Sequence, residues 1–146
     1  MATPAQLSID DMLCFPLYAA TRAVTRTYAD LLAEVGMTYP QYLTMTALWE
    51  AGGPLSVGEL GERLLLDSGT LTPLLKRLEA AGHVVRRRDT EDERRVLVEV
   101  TEAGDRLREQ VSEVPRQLFD AMGLSLAELV ELRERLRGLL ANLGQT

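Results

Sequence analysis

Between Asp67 and Gly82 the chain reads DSGTLTPLLKRLEAAG, and its hydroxyls and cations are spaced to meet nucleic acid. Leu71, Leu74, Leu75 and Leu78 fall at i, i+3, i+4 and i+7, the apolar stripe of an amphipathic helix. Thr70, Thr72, Lys76 and Arg77 occupy the opposite face, hydroxyls near the helix start and cations further along, which suits phosphates and base edges. Asp67 and Ser68 offer side-chain oxygens to cap the helix, and Gly82 is placed to end it. Pro73, read as lying in the first turn or so, either delays regular hydrogen bonding until after Gly69, with backbone N–H groups at the helix start left for a phosphate, or merely kinks the helix. An ordinary surface helix with solvated charges fits the same pattern. The segment that follows, VVRRRDTEDERRVLVEV, shifts the balance. Two β-branched runs flank a charged, turn-like centre, which reads as a hairpin whose loop carries Arg86, Arg88, Arg94 and Arg95 beside Asp92. A helix followed by a basic hairpin is the pattern of a winged helix-turn-helix, with double-stranded DNA as the expected partner.

Other chemistry has little to stand on. Cys14 is the single cysteine, so no intramolecular disulfide forms, and with one histidine, His83, no structural zinc site is expected. His83 follows the helix end at Gly82 and reads as structural or phosphate-facing. Gly-rich phosphate loops, HExxH, GxSxG and SxxK patterns do not occur, so neither an enzyme, a cofactor nor a metal is expected.

The elements that must position these groups are mostly helices. Ser8 to Asp11 has the form of a capping box before an apolar-rich segment that runs to about Val35, where Gly36 ends it. Pro16 is tolerated only in a first turn, so the regular helix is expected to begin near Leu13 to Phe15. Thr38 to Gln41 is a second box, opening a helix to about Ala51, and Ser56 to Glu59 a third, opening a short helix to about Leu64. After the hairpin of about His83 to Val100, Thr101-Glu102 starts a helix to about Met122 that Pro115 kinks or divides. Ser125 to Glu128 opens the last helix, which continues to about Asn142. The terminal helices carry more apolar surface than one small winged helix needs, either as a homodimer interface or as intrachain packing.

Composition agrees with a globular, DNA-docking chain. Its 146 residues are 46% apolar and 26% charged, enough for one domain with a real core. The net charge of −6 is unevenly spread: Lys76 to Arg95 carries +2 and the remainder −8, an acidic body with one basic face. No apolar run is long enough for a membrane span, and MATPAQLSIDDML lacks the layout of a signal peptide, which places the expectation in the cytoplasm.

On LCFPLYAATRAVTRTYADLL, MTYPQYLTMTALWE and LLLDSGTLTPLLKRLE, with Asp92-Glu93-Arg94-Arg95 followed by VLVEVTEAG, the chain resembles the MarR family over almost its whole length. Within it the combination is similar to the organic-hydroperoxide-sensing, OhrR-type branch. The resemblance implies a mainly α fold with a small β-hairpin wing, and a single MarR-type domain over residues 1–146. Residues 38–101 would form the winged helix-turn-helix, and 8–36 and 102–146 mainly dimerisation helices. It implies Cys14 as the peroxide sensor, Tyr28 and Tyr39 as the tyrosines that hydrogen-bond it, and Tyr18 as part of the same pocket. It also implies that Asp92 orients Arg94 by an ion pair. Many members have alanine where this chain has Pro16, which bears on the helix start beside the cysteine. A second, resolving cysteine is missing, so the chain resembles the one-cysteine type, whose oxidised thiol needs a small external thiol or overoxidation.

The residues themselves are consistent with that chemistry. A cysteine meets peroxide as the thiolate, and a helix N-terminus favours the anion. Tyr18, at i+4 from Cys14, lies on the same face, whereas Tyr28 is about 21 Å further along one helix and could reach a Cys14 only across a dimer. Leu13, Phe15, Leu17, Met37 and Met45 would wall an apolar pocket that prefers organic hydroperoxides, or else belong to the core. The expected function is a peroxide-responsive repressor that binds a palindromic operator when Cys14 is reduced. Alternatives are a MarR-type repressor of a small aromatic ligand with Cys14 structural, a thiol peroxidase, and a winged helix used only for protein contacts.

Overall fold

The computed structural model describes residues 8–145. Residues 1–7 and 146, the two ends of the single-domain expectation, lie outside the described residues, as does most of the stretch read as lacking a signal peptide. The fold is mostly helical with a small three-stranded antiparallel sheet. Helix α1 (Cys14–Leu31) begins where Pro16 becomes its third residue, a position whose N–H has no intrahelical partner in any case. Two details of this region differ from expectation. Ser8 caps only a short 3-10 turn, Ile9–Asp11, accepting from Asp10 N at 3.3 Å, and not the long helix. The α-helix also stops at Leu31, and a second 3-10 turn, Ala33–Val35, carries the chain to Gly36 at φ 67°.

Reciprocal capping boxes start the next elements. Thr38 and Gln41 exchange bonds of 3.3 and 3.0 Å at the head of α2 (Tyr39–Ala51). After the two-residue strand β1 (Leu55–Ser56), Ser56 and Glu59 do the same at 3.1 and 2.7 Å for α3 (Val57–Leu64). Leu65 then turns the chain at φ 54°, the one non-glycine described residue in the left-handed region, with its side chain 43% exposed. Leu65→Gly should remove that steric penalty, partly offset by added freedom of the unfolded chain, for a net gain of about 0.5–1 kcal/mol. Thermal unfolding reads it, and a lower Tm in the variant would mean that the leucine's residual contacts outweigh its backbone cost.

Helix α4 (Ser68–Ala80) is capped by Asp67, whose Oδ1 accepts from Thr70 N at 2.7 Å. Regular bonding begins at once, Leu71 N to Asp67 O at 3.0 Å, so the delayed start expected from Pro73 is not found. Pro73 lies in the helix interior, where it leaves the carbonyl of Gly69 without its usual donor but does not displace the first turn. Strands β2 (Val84–Arg88) and β3 (Val96–Val100) pair antiparallel with Arg86 opposite Val98, and β1 adds to the other edge of β3 with Leu55 opposite Val98. That third strand is not foreseen in the sequence. Of the kink or division expected at Pro115 the division is found, giving α5 (Glu102–Gln110) and α6 (Val114–Met122), with Pro115 in the first turn of the second. Ser125 and Glu128 box the start of α7 (Leu126–Asn142).

The leucine stripe of α4 lies at the centre of the core. Leu71, Leu75 and Leu78 are essentially inaccessible, packed in one cluster with Met45 and Leu48 of α2, Leu60 of α3, Val84 and Val98 of the sheet, and Leu107 of α5. Each such leucine contributes on the order of 2 kcal/mol, so the stripe fixes which face of α4 points outward. Behind it, α5 approaches the α4–β2 turn so closely that a Cβ on Gly104 would sit 2.2 Å from the carbonyl oxygen of His83. Trp49 of α2 donates its indole N–H to the Gly104 carbonyl at 3.1 Å and closes the same junction. Helices α1 and α7 contrast with this core: neither contributes a fully buried residue, and of α1 only its C-terminal end, Tyr28 and Leu31, packs partly buried against it. Among the described residues, no helix is long and apolar enough to cross a membrane.

Candidate functional site

The outward face of α4 presents the groups that its sequence places there. Ser68, Gly69, Thr70, Pro73, Lys76 and Arg77 are exposed, and Thr72 is half-buried. Asp67 takes the N–H of Thr70 and, more weakly, draws on that of Gly69, which leaves that of Ser68 without an intrahelical partner at the helix start. This bond holds the Asp67 carboxyl below its ordinary range, so the cap is anionic at neutral pH. Neither Lys76 nor Arg77 has an acidic partner among the described residues, and both are free to meet an external anion.

The wing cations are not equivalent. Arg94 projects from the loop with its side chain 92% exposed, and Asp92 Oδ1 accepts from both its backbone N–H and its Nε at 3.1 Å. Those bonds hold Asp92 below the usual carboxylate range, the arginine side chain first and its backbone next. Arg88 donates to the backbone carbonyl of Glu93 at 2.8 Å, bracing the loop from its own strand. Arg86 lies against Glu79 of α4, which accepts from its backbone N–H at 2.9 Å and its guanidinium at 3.1 Å. Arg95 is shared between Glu59 at 3.3 Å and Asp89 at 3.5 Å. Thus four arginines expected to face the same partner divide into one highly exposed tip, paired with Asp92 two residues away, and three braced by more distant parts of the chain. His83 lies on the structural side of its two readings: its carbonyl accepts from Thr101 N at 3.0 Å, and its Nδ1 is buried without a partner.

Cys14 is exposed at the first residue of α1. Tyr18 follows one turn later, 62% exposed, with the Arg22 guanidinium 5.5 Å above its ring. Leu13 and Phe15, both exposed, flank the thiol, and Leu17 is half-buried. Met37 and Met45 do not: they are buried in the core, which takes them out of the expected pocket wall. The two other tyrosines meet each other at the far end of α1. Tyr28 and Tyr39 stack with centroids 4.2 Å apart and planes 15° from parallel. Tyr42, which sequence reading overlooked, tilts against Tyr28 at 5.5 Å. The signal for it lies in MTYPQY, where Tyr39 and Tyr42 stand at i and i+3 on one face of α2. Burial, and after it the neighbouring Tyr39 and Tyr42, push the Tyr28 phenol well above its ordinary value, so it is a neutral hydrogen-bond donor. Within one chain the structure therefore stacks Tyr28 on Tyr39 and leaves Cys14 and Tyr18 one turn apart at the other end of α1, without bringing the two pairs together.

Comparison with known proteins adds to this geometry. The family model described as transcriptional regulator SarA/Rot matches residues 26–111. The chain is 43% identical over 139 residues to the organic hydroperoxide resistance transcriptional regulator of Bacillus subtilis, covering 95% of this chain and 94% of that protein. It is 50% identical over 129 residues to the HTH-type transcriptional regulator TtmR of Methylorubrum extorquens, 88% of this chain but 66% of the longer relative. Among solved structures, reduced AbfR bound to DNA superposes with a TM-score of 0.78 at 35% identity, over 92% of this chain and 94% of that one.

Proposed function

The chain belongs to the SarA/Rot family of MarR-like winged-helix transcriptional regulators, and from that premise we propose a repressor that organic hydroperoxides release from DNA. In this reading it acts as a homodimer on a palindromic operator. Residues 38–101 dock on DNA, and residues 8–36 and 102–146 mainly join the two copies. The N-terminal residues of α4, Ser68, Gly69 and Thr70, meet phosphates through backbone N–H groups and hydroxyls, and Thr72, Lys76 and Arg77 extend into the major groove. Pro73 shapes that face without donating to it. Arg94, aimed by Asp92, enters the minor groove beside the wing.

The switch is the thiol. Cys14 thiolate attacks the outer oxygen of a hydroperoxide, the O–O bond breaks, and the departing alkoxide takes a proton to leave as an alcohol, with Cys14 as sulfenic acid. A small thiol then displaces water from that sulfur and forms a mixed disulfide. Tyr18 of the same chain, and Tyr28 and Tyr39 of the second copy, donate hydrogen bonds to the thiolate and lose them on oxidation. The observation that supports this most is the placement of an exposed Cys14 at the start of a helix that has no fully buried residue in its own chain and packs on the core only at its far end. Such a helix is left to pack against a second copy, and the same packing would bring the two pairs of groups together.

Titrating reduced protein against the DNA upstream of its own gene, at several salt concentrations, tests the DNA half of the proposal. Affinity should fall steeply with salt, and Arg94→Ala, present in both copies of the dimer, should weaken binding about tenfold and lower the log–log slope by up to roughly 1.8. Binding that is absent, or indifferent to salt, would instead favour a winged helix used for protein contacts.

A further inference from the structure

We infer that Arg95 is a strut between the wing and the helix-turn-helix, with Glu59 as its fixed anchor, and is not itself a DNA contact. The inference rests on the DNA-binding reading above and assigns a positioning role to a residue, Glu59, that the reading does not use. The geometry is specific. One oxygen of the Glu59 carboxylate, Oε2, accepts from Ser56 N at 2.7 Å and completes the capping box of α3. The other, Oε1, accepts from Arg95 Nη2 at 3.3 Å across thirty-six positions of sequence. The second terminal nitrogen of Arg95 lies 3.5 Å from Asp89 Oδ2, at the opposite end of the wing loop. Backbone bonds of 2.9 Å, Arg95 N to Asp92 O and Asp89 N to Arg95 O, close the same loop on itself.

An isolated surface pair would contribute little, because two long side chains must be ordered to form it. Here that ordering is already done. Glu59 is held by the cap, and the backbone at Arg95 is held by the loop, so little side-chain entropy remains to oppose the contact. The guanidinium also faces two carboxylates, so its attraction for a phosphate is largely neutralised in place. Arg94, one residue away, differs in exposure and reach: its side chain is 92% exposed against 45% for Arg95, and its one carboxylate partner, Asp92, belongs to the same loop tip. The wing therefore divides its two neighbouring arginines between reaching and holding.

Glu59→Gln tests this with an effect of definite sign. Glutamine at this position still completes a capping box, so α3 is kept. It has only one acceptor oxygen where the carboxylate uses two, so the cap is retained and Arg95 is released. Removing a negative charge beside DNA should by itself tighten binding. If Arg95 is a strut, Glu59→Gln instead weakens operator binding about threefold or more, with an unchanged salt slope. Arg95→Gln weakens it to a similar extent, and the double variant is no worse than either single one. Wing amides between Asp89 and Arg95 should exchange hydrogen faster in the free Glu59→Gln protein. Tighter or unchanged binding by Glu59→Gln, or an Arg95→Gln slope reduced by roughly 1.8 for the two copies of the dimer, would make Arg95 a phosphate contact and overturn the inference. Wild-type protein that binds no DNA in the same titration would instead remove the reading on which it rests.

Discussion

Cys14→Ser should stay on its operator through a dose of hydroperoxide that releases the native protein. Native protein, given about one equivalent of cumene hydroperoxide and a small thiol, is expected to lose roughly a hundredfold in affinity, a differential of about 2.8 kcal/mol. Serine keeps the shape of the side chain but has no accessible anion at neutral pH, so the O–O bond meets no nucleophile. The position is exposed at a helix start, and exchange of sulfur for oxygen there should alter stability by no more than about 0.5 kcal/mol. Reduced native and variant proteins should consequently bind DNA alike, and a gel-shift titration separates them only after peroxide. Equal release of both would take the thiol out of the mechanism. Firm binding by both would leave the regulator intact and direct the search for its signal to small ligands.

The second large effect is on the fold. Gly104→Ala should cost about 3 kcal/mol or more, because the new Cβ would lie 2.2 Å from His83 O and 2.7 Å from Val100 Cγ1. A flexible side chain could yield to it, but His83 O is backbone and accepts from Thr101 N at 3.0 Å, so it moves only if the β3–α5 corner opens. Gly104 is held from its own side as well, since its N–H donates to Thr101 Oγ1 at 3.1 Å as part of the α5 cap. For a chain of this size that loss lowers the Tm by roughly 10 °C. A loss below about 1 kcal/mol would mean that α5 shifts along the sheet at little cost.

What could be read from the sequence was what is decided locally. Thr38 with Gln41, Ser56 with Glu59 and Ser125 with Glu128 are three residues apart, and each box formed as its spacing requires. The stripe of Leu71, Leu74, Leu75 and Leu78 likewise needs only the helical period to declare its buried face. The contacts that escaped join distant parts of the chain. Leu55 and Ser56 are too few to have a period, and become a strand because β3 offers an open edge. Arg95 looks like any wing cation until Glu59 is brought beside it. Met37 and Met45 have the chemistry of a pocket wall, but the closure of α2 over the leucine stripe takes them inside. Pro73 was misplaced for a related reason: the Asp67 cap and the packed stripe hold α4 regular on both sides of a residue that disfavours it.

The α2–α5 junction also has an optical consequence. Trp49 is the only tryptophan in the chain, and its indole N–H is bound to Gly104 O where the winged region meets the C-terminal helices. All tryptophan emission therefore comes from that joint, with no background from elsewhere to subtract. Water reaching the indole would shift its emission to longer wavelength. The chain thus has a built-in fluorophore that distinguishes parting of the two halves from fraying of α1 or α7, to which it would be blind.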